Sequence, residues 1–118
     1  RVLFRSVAIP IANEQLSENF GECNYYEIYE IEKKVTAKKN ALLPAGLALT
    51  DLPKWLKKQG ITDVITYRVN KEIIKLFAAN KLNLFVGVPI NSSEKLIDDY
   101  LQGKLESDNN IITELTKV

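Results

Sequence analysis

Two side chains stand out as chemically capable in a chain that has no histidine: Cys23, the single cysteine, and Arg68. A deprotonated thiol is a metal ligand and a redox group, so Cys23 can offer one bond to a metal; a small, partly buried hydrophobe at a strand start is the plainer use of the same residue. Arg68 carries a planar guanidinium that forks onto carboxylate or phosphate oxygens, or it sits in a surface ion pair. The missing groups narrow the field. Without imidazole, neither a Ser-His nor a Cys-His nucleophile can be built. Iron–sulfur clusters need several thiolates, or thiolates with imidazoles, so a self-contained metal site is not expected. A paired-magnesium nuclease centre would need carboxylates on the first strand, and VAIPIA has none. Asp51, Asp63, Asp98 and Asp99 fall at expected helix starts or surface faces. The five glycines assemble neither a phosphate loop nor a dinucleotide fingerprint. Binding is therefore expected rather than catalysis, with no catalytic residue assigned.

The elements that must position these groups read as a hairpin followed by helix and strand in alternation. Val7 to Ala12 is a short apolar run broken by Pro10, which predicts a short strand. Asn24 to Glu32 alternates aromatic or branched residues with Glu27 and Glu30, and Val35 to Leu42 returns as its hairpin partner. Lysines 33, 34, 38 and 39 gather on that hairpin, as charges guarding an exposed edge strand do. Thr50 or Asp51 is expected to cap a helix that tolerates Pro53 in its first turn, buries Leu52, Trp55 and Leu56, and ends at Gly60. Val64 to Tyr67 is the next strand. Asn70 caps a second helix carrying Ile73, Ile74, Phe77 and Ala78 at helical spacing. Leu84 to Val88 reads as a strand covered on both faces. Asn91, with Glu94 three residues on, opens a last helix through Leu96, Ile97, Tyr100 and Leu101 to Gly103.

The expected fold is α/β: a three-layer domain with a mixed five-stranded sheet in the order 3-2-1-4-5, strand 2 antiparallel, and helices on both faces. Loops leaving strands one, four and five then meet at one end, where open sheets of this kind bind ligands. Asn13 to Gly21, Tyr67 to Asn70 and Gly87 to Asn91 form the candidate site, joined by Pro44 to Leu49.

Length and composition agree with one domain: 118 residues, 46% hydrophobic, with net charge +1. Near-neutral charge gives no field that would gather nucleic acid. A lone cysteine forms no internal disulfide, which suits a reducing compartment, and no apolar run is long enough to span a membrane. A cytoplasmic protein with neither nucleic-acid nor membrane partner is expected. Residues 1–6, RVLFRS, resemble the translation of a sequencing-adapter oligonucleotide and are set apart as a non-native leader of a microbial sequence. The domain is placed at 7–105 and a tail, able to dock through Ile111, Ile112 and Leu115, at 106–118.

The segments VAIPIANEQLSENFGECNYYEIYEIE, PAG, LPKWLKKQGITDVIT, LNLFVGVP and LIDDYLQGKL resemble, in that order, the dinitrogenase iron-molybdenum cofactor biosynthesis family. That resemblance implies a nitrogenase accessory-factor domain of ribonuclease H-like fold that binds or carries iron–sulfur clusters or iron-molybdenum cofactor precursors. The cofactor-binding residues expected in this chain are Cys23, Asn19, Gly21, Gly46, Arg68 and Asn70, with Cys23 the metal ligand. The chain departs from the family at these places. Asn19 stands where histidine is common, NALLPAGLAL keeps only Gly46 of a histidine- and glycine-rich loop, and Tyr67 to Asn70 replace a glycine-rich turn. The expected function is a cofactor-binding domain degenerate at its ligand positions. Two alternatives stay open: an interaction or homodimerisation module, and a domain that binds a small anion through Arg68 and the helix starts.

Overall fold

A computed structural model of the chain describes residues 4–20, 23–42, 44 and 46–107. Six strands form one mixed sheet, not five. The extra strand, β2 (Gln15–Leu16), pairs antiparallel with the end of β1 (Phe4–Ala12) through a two-residue turn at Asn13 and Glu14. Both turn residues have positive φ, 55° and 66°, the conformation whose twist matches a tight hairpin. Counting β2 shifts every later strand, so the observed order is β4-β3-β1-β5-β6 with β2 off the path, in place of 3-2-1-4-5. Here β3 is Tyr25–Glu32, β4 is Lys34–Ala41, β5 is Asp63–Ile65 and β6 is Asn83–Phe85. β1 runs antiparallel to β3 and parallel to β5, and β6 runs parallel to β5.

β1 ends at Ala12 as expected but begins earlier. It starts three residues before the expected domain boundary, with Phe4, Arg5 and Ser6 opposite Glu32, Ile31 and Glu30. Arg5 also pairs with the buried Asp63 at 3.6 Å, so residues 4–6, expected to lie outside the domain, are built into the sheet. Pro10 does not end the strand. Its carbonyl accepts from Ser17 N–H at 2.8 Å, on the side away from β3, so its missing N–H also points there, beyond the last β5 pair at Ala8 and Val64. There it faces Ser17, its register partner in the β1–β2 hairpin, and the proline leaves that pair with one bond in place of two, at the end of a two-residue strand.

Strict alternation divides the apolar residues between two cores. Ala8, Tyr26, Ile28 and Val64 pack with Leu52 and Leu56 of α1 (Leu52–Lys58) and Ile73 and Phe77 of α2 (Lys71–Ala79). On the other face Val7, Ile9, Tyr29, Ile31 and Ile65 pack with Leu96 and Ile97 of α3 (Ser93–Leu101). The layers are therefore α1 and α2, sheet, and α3.

Only one of the three expected caps is as the residue types suggested. Asn70 Oδ1 accepts from Ile73 N–H at 2.9 Å and starts α2. A 3-10 turn over Leu49–Asp51 feeds α1, so Asp51 already has helical dihedrals and its side chain caps nothing. α3 is capped by Ser92, whose Oγ accepts from Lys95 N–H, while Asn91 turns its own Oδ1 onto Ser92 N–H at 2.8 Å.

Candidate functional site

The β1–β2 hairpin builds one wall of a cavity at the C-terminal end of β1. Leu16 N–H donates to the Asn91 carbonyl at 3.0 Å, which ties the hairpin to the loop after β6. Its space, half open to solvent, is about 240 Å³, lined chiefly by Asn13, Gln15, Ser17, Glu18, Asn19 and Ile90. Amides and a hydroxyl dominate it, and the Glu18 carboxylate is its charged member.

Asn19 is thus at the rim cavity, and Arg68 is beside it through the main chain. The two form an isolated parallel bridge, in which Phe20 N–H donates to Arg68 O at 2.9 Å and Arg68 N–H to Glu18 O at 3.1 Å. The Arg68 side chain does not stand open as a clamp. Its guanidinium is 3.4 Å from Glu18 Oε2 and lies over the Tyr67 ring at 5.6 Å. Asn70 spends its side chain on the cap of α2. Gly46 has φ 79°, and a Cβ there would meet nothing within 4 Å; the glycine answers to backbone sign and not to a ligand pressed against it. Gly21 lies outside the described residues.

Cys23 is elsewhere. It is half-buried and packs on the core beneath α1 and α2. Burial pushes its thiol from 9.0 up to about 11, so it is protonated at neutral pH and a weak nucleophile. The nearby Tyr26 phenol is fully buried without a hydrogen-bond partner. Burial first, and Cys23 second, hold its pKa well above the usual phenol range. Among the described residues no three of His, Cys, Asp and Glu come together to hold a metal ion. A cluster held by this chain's own ligands does not fit this donor set; an incoming group that brings its own ligands needs at most one bond from Cys23.

Two buried carboxylates lay hidden in the sequence: Asp63, expected at a helix start or on a surface face, is 3% exposed at the start of β5, and Glu27 is the other. Glu27, 8% exposed, accepts from the hydroxyls of Ser93 and Tyr29, receives Tyr25 Oη at 3.4 Å, and pairs with Lys38 Nζ at 3.7 Å. Tyr29 and Ser93 oxygens are 2.8 Å apart. The signal was available: alternation puts Glu27 on the same face as Tyr25, Tyr29 and Ile31, a carboxylate in an apolar row.

Fold and site together define a small α/β domain with a polar cavity at the sheet's rim. Residues 5–103 match the family model described as dinitrogenase iron-molybdenum cofactor, and the chain belongs to that family. Among solved structures it is similar to PH0822, with 28% identity and a TM-score of 0.78 over 87% of this chain and 96% of that one. It shares its fold with MJ0327 of Methanocaldococcus jannaschii (20% identity, TM-score 0.72, 90% and 96% covered). The apo form of the orange protein of Desulfovibrio gigas has the same fold at 11% identity, TM-score 0.71, with 88% and 92% covered. No curated protein matches the chain at a significant level. No helix among the described residues is long and apolar enough to cross a membrane.

Proposed function

We propose that this chain is a non-catalytic binding domain that holds a metallocofactor precursor, iron–sulfur or iron–molybdenum in kind, as cargo in the rim cavity. Family membership supports the class of cargo. The observation that carries the reading is the cavity itself, about 240 Å³ at the strand ends, where open α/β sheets seat their ligands. Such cargo arrives with its own sulfur or oxygen ligands, so the domain's part is to hold it by hydrogen bonds from neutral side chains. Cys23 does not line this cavity and would contribute a single bond only if the cargo reached it.

Tetrathiomolybdate, a coloured metal–sulfur anion complete in its own ligands, tests this directly. Gel filtration of the mixture should carry the colour with the protein, and Gln15→Glu, which adds a negative charge to the cavity wall, should release it. Cys23→Ser should retain the colour if the contacts are those of the cavity. Colourless wild-type fractions would overturn the proposal.

A second reading rests on β4. This eight-residue edge strand is exposed along nearly its whole length, and a cleft of about 260 Å³ lies between it and α3, lined by Tyr29, Val35, Glu94, Ile97, Asp98 and Leu101. An interaction or homodimerisation module would use this edge, and light scattering across a concentration series reads it. For the anion-binding alternative, Arg68 would have to leave Glu18.

A further inference from the structure

The exposed side of α1 carries a feature that the rim does not explain. Asp51, Lys54, Trp55 and Lys58 follow one another at the spacing that brings side chains onto one face of a helix, and with Leu47 from the preceding loop they line a solvent-open cleft of about 260 Å³. Trp55 is half-buried, its ring 6.4 Å from that of Tyr26 and tilted by 57°, so its position is fixed by the core beneath. The indole and Leu47 give the cleft an apolar floor. Lys54 and Lys58 stand one turn apart at its edge, and neither makes an ion pair among the described residues. Like charges at this spacing repel, a cost that a shared anion removes. Asp51 supplies the opposing charge, leaving the cleft with a balance of one positive charge.

We propose that this cleft binds a small planar aromatic anion, its ring against Trp55 and its carboxylate or equivalent oxyanion shared by Lys54 and Lys58. Size sets the class. The volume is just under the roughly 300 Å³ at which pockets for drug-sized ligands begin, so one ring fits and a dinucleotide does not. Charge sets the rest: an ammonium attracts an ionised acceptor through opposite full charges that a neutral acceptor lacks, and Asp51 disfavours a ligand bearing several negative charges. None of these residues lines the rim cavity, so the inference stands or falls separately from the cargo reading.

The chain has one tryptophan, so its indole N–H gives a single cross-peak in a nitrogen–proton NMR spectrum. Benzoate, titrated into the full chain, should shift that peak and the Leu47 amide saturably, with a Kd at or below about 1 mM. Benzamide, equal in shape and uncharged, should bind about fivefold more weakly, and Lys54→Gln should weaken benzoate by a similar factor. Lys57→Gln removes the same charge from the same helix outside the cleft and should leave benzoate affinity unchanged. Absence of a saturable shift, equal affinity for benzamide, or equal loss in Lys54→Gln and Lys57→Gln would each overturn the proposal.

Discussion

Tyr26 and Tyr29 lie on the same strand and face opposite layers, and their hydroxyls meet opposite fates. On the α3 face Tyr29 belongs to a closed set with Glu27, Ser93 and Lys38, in which every buried polar group has a partner. On the α1 and α2 face Tyr26 buries a hydroxyl that bonds to nothing. A satisfied buried network ties elements together, whereas an orphaned donor is carried at a cost that packing elsewhere must exceed. The α3 layer is held by chemistry and shape, the α1 layer by shape alone.

Substitutions can break this contrast. Glu27→Ala should have the largest effect, destabilising by about 1–3 kcal/mol in urea unfolding, because it leaves three hydroxyls without their common acceptor; a loss below about 1 kcal/mol would show the network to be ornamental. Ser93→Ala, which unties the first residue of α3, should cost about 1–2 kcal/mol. Tyr26→Phe should be neutral or stabilising by up to about 1 kcal/mol, while Tyr29→Phe destabilises by a similar amount. If both phenylalanine variants lose stability equally, the hydroxyl of Tyr26 is not an orphan.

The smallest effect concerns pH. Since the folded Cys23 thiol titrates at about 11 against 9.0 for an unperturbed one, folding keeps it protonated. Its contribution is whole below pH 9.0 and fades as pH rises toward 11. The unfolding midpoint of wild type should therefore fall between about pH 8 and about pH 10.5 more than that of Cys23→Ser. Parallel curves for the two proteins would remove Cys23 from this account.

Much of the architecture was legible because it rests on periodicity. The alternation in YYEIYEIE and the helical spacing of Ile73, Ile74 and Phe77 needed no tertiary information. Local chemistry that depends on a neighbour was not legible. Asn-Glu at 13–14 lacks the glycine that marks a two-residue hairpin, so β2 was absent from the expected sheet. Ser92 and Asn91 are both good capping types, and only the path of the chain chooses between them. Arg68 illustrates the limit at the site: its type and strand-end position suited an anion, but Glu18, fifty positions earlier in the chain, reaches it first. Asn19 and Arg68 do meet, through backbone rather than side-chain groups.

That main-chain bridge has a consequence for how the family can change. Because Glu18, Phe20 and Arg68 are joined by amide and carbonyl groups common to every residue type except proline, the rim keeps its contour whichever letters occupy it. Side chains can be exchanged there while the scaffold beneath persists, so the rim's donor atoms and its shape are set independently.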